Sequence, residues 1–261
     1  MTCLNSYDRD YMIPKIIHYC WFGKGEMPEL VQNCIASWHT HMPDWEYRLW
    51  TEDNFDIASA PAYVQEAYAA KKYAFVSDYV RLWALEREGG LYLDTDVEVL
   101  RSFEPLLNDT AFVGLEESLA LLPGTCVMAC EAHCQWVKDM LATYDDTHFM
   151  LEDGTLDMTT NVQRLGERIV QGGLLRERKI QHLPQWGLRI YTHDYFSPIT
   201  STRVIRKTKN TYSIHRFAGT WVDCKKSGIR DLWIVREVVN ILVQIKRRLQ
   251  RLNYRTENLK R

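Results

Sequence analysis

Two carboxylates one residue apart, Asp94 and Asp96, close the apolar run Leu91-Tyr92-Leu93. Such a run reads as a short buried strand, and ligand sites in open α/β sheets lie at the carboxyl ends of strands. Two acids placed there repel each other unless a shared proton or a cation intervenes. Mg²⁺ or Mn²⁺ suits them, because a hard ion can take few carboxylates and keep positions for phosphate oxygens. A solvated turn at a strand end can also contain Asp-x-Asp, so the pair needs its context. Upstream, Asp78 and Arg81 stand three apart on a helical pattern and share a face. They can form a weak local ion pair. They can also place a sugar-accepting carboxylate beside a guanidinium that grips phosphate. The spacing alone favours the local pair.

These residues need a scaffold to position them, and the patterning supplies one. Ile13 to Trp21 is a β-branched, apolar run that predicts a buried first strand, ended by Phe22-Gly23-Lys24-Gly25. Apolar residues at helical spacing predict a helix from Pro28 to His39, and a mostly helical stretch runs from about Pro61 to Glu88. Glu46 to Trp50 alternates as a second strand, and Gly89-Gly90 stops the helix before Leu91. Ala111 to Gly114, Thr125 to Ala129, Ile190 to Phe196 and Thr211 to His215 read as strands. Gln135 to Tyr144 and Asn161 to Gly172 read as helices, the latter with Thr159-Thr160-Asn161 as its N-cap. The alternation predicts an α/β fold with a mainly parallel sheet flanked by helices. One catalytic domain is expected over 1–230 and a C-terminal helix over 231–261.

Of the 261 residues, 46% are apolar and 25% charged, which excludes a disordered chain and a disulfide-stapled miniprotein. Seven cysteines cannot all pair, and the polar first twelve residues carry no secretory pattern. A reduced, cytoplasmic setting is the expectation. Cys126, Cys130 and Cys134 recur every fourth residue, but a strand-like Thr125–Ala129 would scatter them, so they read as small core residues.

The net charge of -2 hides an asymmetry: residues 203–261 hold 16 of the 32 Lys and Arg but only 4 of the 34 acids. In the tail, Leu232, Val235, Val239, Leu242, Ile245, Leu249 and Leu252 form an apolar stripe ending in a basic cluster. The stripe can pack on protein or lie on an anionic membrane surface. The second option would place the chain at the inner face of the membrane. Nucleic acid is disfavoured, since the body is acidic and the basic run lacks interleaved aromatics.

A set of segments in a fixed order carries a family resemblance. They are Ile13 to Gly23, Ser37-Trp38, Pro43 to Glu46, Ala74 to Arg81, Gly89 to Asp96 and Tyr212 to Trp221. Together they resemble the Asp-x-Asp sugar transferases of glycosyltransferase family 32, and more distantly the catalytic domains of the clostridial glucosylating toxins. The resemblance covers about residues 12–222 and is most specific from Ala74 to Asp96. It implies a GT-A fold, a UDP- or GDP-sugar donor, Mn²⁺ or Mg²⁺, and retention of anomeric configuration. The acceptor it implies is a saccharide or lipid-linked hydroxyl in polysaccharide or surface-glycan assembly.

Carried over onto this chain, the resemblance puts Trp21 on the donor's base, with Tyr19 also on the donor side. Ser77, Asp78 and Arg81 line the pocket for ribose, sugar hydroxyls and phosphate, and Tyr92 lies beside the nucleotide. Asp94 holds ribose and assists with metal, while Asp96 ligates it. His215 is a further metal ligand, and Trp221, with Thr220 before it, closes over the diphosphate. Asn161 touches sugar or acceptor, unless it serves only the helix start. A covalent nucleophile could be Asp78, Glu116 or Glu117, with front-face attack by the acceptor preferred. Rival readings are a protein-modifying transferase and a non-catalytic sugar-nucleotide or glycan-binding module. A phosphatase fits poorly, because Glu98 stands where its motif has Thr or Val.

Overall fold

The computed structural model describes residues 13–116, 122–175, 177–200 and 204–218. Thr220, Trp221, Glu117 and the predicted 231–261 helix lie outside these residues. The centre is a seven-stranded sheet in the order β2-β1-β3-β6-β5-β8-β7. Its strands are β1 (Ile16–Cys20), β2 (Glu46–Trp50), β3 (Gly90–Leu93), β5 (Ala111–Glu116), β6 (Leu122–Cys130), β7 (Gln181–Leu183) and β8 (Leu188–Tyr191). Five strands run one way, while β6 and β7 run against them, so the sheet is mixed. A second, two-stranded sheet pairs β4 (Val97–Val99) with β9 (Ser213–His215).

Strand periodicity divides the core into two layers. Cys20, Tyr92, Val113 and Met128 point to one side and meet helices α2 (Ala62–Ala69), α3 (Tyr73–Glu88), α4 (Gln135–Leu141) and α5 (Asn161–Gln171). Ile17, Leu91, Leu93, Phe112 and Val127 point to the other and meet α1 (Glu29–His41) and α6 (His193–Phe196). Helix α1 buries Val31, Cys34 and Trp38, spaced as one helical face, and the Trp38 indole donates to the Val97 carbonyl at 2.6 Å.

Local chemistry places β3. Helix α3 ends at Gly89 with φ +66°, and Gly90 follows with φ +102°. A Cβ on Gly90 would stand 2.6 Å from the Ile16 carbonyl oxygen, so the close β1–β3 approach needs the glycine. All four β3 residues are buried.

The predicted strand 190–196 divides in two. β8 stops at Tyr191, and the Thr192 hydroxyl bonds to Asp194 at 2.5 Å as the chain turns into α6. This turn drives Phe196 into the core against Phe103 and Phe112. Cys126 and Cys130 lie on β6 and Cys134 caps α4; all three are buried free thiols, as a core reading requires. Among the described residues, no helix is long and apolar enough to cross a membrane.

His18 adds a pH dependence to this scaffold. The Trp50 indole donates to its Nδ1 at 3.1 Å, so Nε2 carries the proton and donates to the Gly89 carbonyl at 2.8 Å. Burial lowers its pKa below the ordinary histidine value, and a second proton would face the Trp50 N–H. The unfolded chain therefore takes up this proton first as pH falls. The His18 contribution is full above about pH 6.5 and declines as pH drops below it, by up to ~1.4 kcal/mol per pH unit. His18→Gln removes that slope. The melting temperatures of wild type and variant should converge between pH 7.5 and 5.5; parallel curves would contradict the assignment.

Candidate active site

The carboxyl ends of β1 and β3 lie side by side. The strands are parallel, with His18 opposite Tyr92. Trp21 follows β1 and Asp94 follows β3, which brings the apolar run and the acid pair to one edge of the sheet. The Asp94 amide donates to the Cys126 carbonyl at 2.9 Å, fixing the loop to β6.

A buried network runs behind this edge. Arg81 is 5% exposed and uses its whole fork. Nη2 meets Asp78 Oδ1 at 2.9 Å, and Nη1 meets both Asp94 Oδ1 at 3.2 Å and the Thr125 carbonyl at 2.8 Å. Nε donates to the Ser77 carbonyl at 3.2 Å, and the guanidinium carbon lies 4.6 Å from the Tyr92 ring centre. The Tyr92 hydroxyl donates to Asp94 Oδ1 at 3.1 Å. The other Asp78 oxygen accepts the Asn161 N–H at 2.9 Å, where α5 begins. The Asn161 side chain returns a bond to the Asp78 carbonyl at 3.1 Å. Thr160 forms the capping box of α5, so the segment is an N-cap and also a tie to Asp78.

Asp78 and Arg81 thus make the expected i,i+3 pair, but buried and extended to Asp94. Burial raises the Asp78 pKa against the opposing pull of Arg81. Burial likewise raises that of Asp94, with Arg81 opposing and the nearby Asp96 charge adding to it. Arg81 itself is held protonated: its burial is outweighed by Asp94 and its other acidic neighbours.

A second set faces Asp96. His215 Nε2 stands 3.4 Å from Asp96 Oδ1, and the Ala218 N–H donates to Asp96 Oδ2 at 2.8 Å. Burial alone would raise the Asp96 pKa, but the His215 and Ala218 contacts outweigh it and hold the pKa below the usual carboxylate range. Phe217, with φ +51°, turns the chain into the left-handed region here. That turn lets the Arg216 and Ala218 amides both reach Asp96. β9 brings His215 to this position from far along the chain, opposite Val97. One ligand atom each from Asp94, Asp96 and His215 lies within 4.8 Å of the others. Two carboxylate oxygens and an imidazole nitrogen form a donor set that suits Mn²⁺ and accommodates Mg²⁺ less well.

The sequence-predicted residues therefore fall into distinct groups. Ser77, Asp78, Arg81, Tyr92, Asp94 and Asn161 share one network, and Asp94, Asp96 and His215 converge. Trp21, half-buried, donates its indole N–H to the Gly25 carbonyl at 2.6 Å, and Tyr19 packs edge-on against Trp38. Both stand at the β1 end, outside the network's hydrogen bonds among the described residues. Sequence reasoning missed Cys20, which lies beside Arg81 and Tyr92 with its thiol pushed up to about 12 by burial. It missed the Thr125 carbonyl too, which only a folded sheet brings to Arg81.

Residues 28–113 match the family described as "Glycosyltransferase sugar-binding region containing DXD motif". The acid pair in the match is Asp94-Thr95-Asp96, and Asp78 and Arg81 also fall within the matched span. Inositol phosphoceramide mannosyltransferase 3 of Schizosaccharomyces pombe is 38% identical over 104 residues, covering 39% of this chain and 29% of the relative. Mannosyl phosphorylinositol ceramide synthase CSH1 of Saccharomyces cerevisiae is 32% identical over 109 residues, covering 39% and 28%. The chain thus spans about a third of the length of the curated relatives it matches. Among solved structures, "PaToxG Glycosyltransferase" is similar at TM-score 0.44 and 18% identity, covering 60% of this chain and 67% of that one.

Proposed function

We propose that this chain is a divalent-metal-dependent glycosyltransferase that moves a hexose from a UDP- or GDP-sugar to a glycolipid or saccharide hydroxyl. The observation that carries the reading is the convergence of His215 with Asp94 and Asp96, an acid pair that falls inside the residues matching a DXD sugar-binding region. The names of the curated relatives favour mannose as the sugar and a glycolipid as the acceptor.

Asp94, Asp96 and His215 would hold the metal, which when bound neutralises charge developing on the departing diphosphate. Arg81 keeps Asp94 in place and contributes positive potential beside the same phosphates. Trp21 offers its ring to the base at the end of β1. The transfer retains configuration by front-face attack, the acceptor hydroxyl passing its proton to a diphosphate oxygen. Two findings support front-face attack over a covalent nucleophile. Both Asp78 oxygens are engaged, by Arg81 and by Asn161. Glu116 is 3% exposed and is bonded to His215 and Cys126. The basic tail would set the enzyme on the cytoplasmic face of a membrane, near a lipid-held acceptor.

Donor hydrolysis without acceptor tests the reading. A panel of UDP- and GDP-hexoses, mannose included, is incubated with Mn²⁺ or with chelator, and nucleoside diphosphate release is measured. Release from one donor, lost with chelator, is the expected result. Silence across the panel, with no thermal stabilisation by UDP or GDP plus Mn²⁺, would overturn it.

A further inference from the structure

Glu116 ends β5 and is almost wholly buried, and among the described residues its carboxylate faces a histidine and a thiol. Its Oε1 accepts from His215 Nδ1 at 3.1 Å and from the Cys126 thiol at 3.1 Å. A carboxylate only accepts, so Nδ1 of His215 carries a proton. Nε2, across the ring, then points at Asp96 Oδ1, 3.4 Å away. The backbone holds the histidine through the Val97–His215 pairing, and Glu116 holds its ring.

The strand opposite is built around this carboxylate. Gly124 has no side chain where a Cβ would stand 2.6 Å from both the Glu116 carboxyl carbon and Oε1. The glycine therefore keeps the space that Glu116 occupies.

We propose that Glu116 is a positioning residue: it fixes His215 in the Nδ1–H tautomer and aims Nε2 at a divalent cation shared with Asp94 and Asp96. The assignment rests on the metal-dependent reading above. A partner that orients a ligating imidazole raises its basicity and limits its rotation, and losing such a partner typically weakens metal binding by about 10- to 100-fold. Cys126 supplies a second hydrogen bond that keeps the Glu116 oxygen in register.

The test titrates Mn²⁺ alone into the full chain and follows free Mn²⁺ by electron paramagnetic resonance. Glu116→Ala should weaken Mn²⁺ binding by about 10- to 100-fold. Glu116→Gln keeps an oxygen acceptor and nearly the same volume, so its loss should be smaller. Gly124→Ala leaves the carboxylate present but displaces it, and should weaken binding in the same direction. If Glu116→Ala fails to fold, these last two variants carry the test. In donor hydrolysis, the Mn²⁺ concentration for half-maximal rate should rise in step, while the rate at saturating Mn²⁺ changes far less. A purely structural Glu116 would lower the melting temperature without moving Mn²⁺ affinity. Wild-type Mn²⁺ affinity in the Glu116 and Gly124 variants, alongside its loss in Asp96→Asn, would overturn the positioning role and leave the metal site standing. Absence of Mn²⁺ binding by the wild type would instead remove the metal reading itself.

Discussion

Asp96→Asn should reduce Mn²⁺-stimulated donor hydrolysis by about a thousandfold or more. Lewis-acid stabilisation of a leaving diphosphate supplies several kcal/mol, and each ~1.4 kcal/mol is tenfold in rate. The substitution removes the one acid whose pKa is held down at the site, and with it a charge that Asp94 is poorly placed to replace. Asp94 is already committed to Arg81 and the Tyr92 hydroxyl. The fold should survive, because the asparagine carbonyl can still accept from the Ala218 amide. The stability cost should be about 1.5–3 kcal/mol, the range for hydrogen bonds to charged groups. The comparison needs wild type, Asp96→Asn and the exposed-surface variant Asp53→Asn, each at saturating donor over a Mn²⁺ series. Hydrolysis by Asp96→Asn within tenfold of wild type, at unchanged Mn²⁺ dependence, would sink the assignment of Asp96.

The parts of this site that the sequence reveals are those whose partners are near in the chain. Asp94 and Asp96 are two apart and Asp78 and Arg81 three apart, so spacing alone puts each pair together. Helix α3 and strand β3 follow from apolar periodicity and the Gly89-Gly90 stop. His215 carries no local signal, since its neighbours come from β4 and from Glu116, 99 residues earlier. It was reachable only through a family resemblance. Glu116 was legible only as one of several acids, because the feature that defines it is a contact across the fold. Three-residue strands such as β4 and β7 are too short for a period to declare itself. The 190–196 error has the same origin: alternating aromatics suggest a strand, and the Thr192–Asp194 bond that turns the chain competes without changing the pattern.

Arg81 shows how the site and the stability of the fold depend on the same group. Its side chain joins the buried Asp78, the part-buried Asp94, two backbone carbonyls and an aromatic face. Arg81→Met keeps most of the volume but leaves Asp78 and Asp94 without their counter-charge. Removing one partner of a buried ion pair costs about 3–5 kcal/mol, because the remaining charge is uncompensated. In a chain of this size ~1 kcal/mol corresponds to roughly 2–4 °C, so the melting temperature should fall by about 6–20 °C. Arg81→Lys should lie between wild type and Arg81→Met, since one ammonium keeps the charge but cannot span Asp78, Asp94 and the Thr125 carbonyl together. The decisive comparison adds Asp78→Asn to Arg81→Met. If uncompensated charge is the cause, removing one of the two acids restores part of the lost stability. If lost packing and carbonyl bonds are the cause, the double variant is no more stable than Arg81→Met alone. Chemical denaturation of the four proteins at neutral pH distinguishes the two causes, and the recovery measures how much of Arg81's contribution is electrostatic.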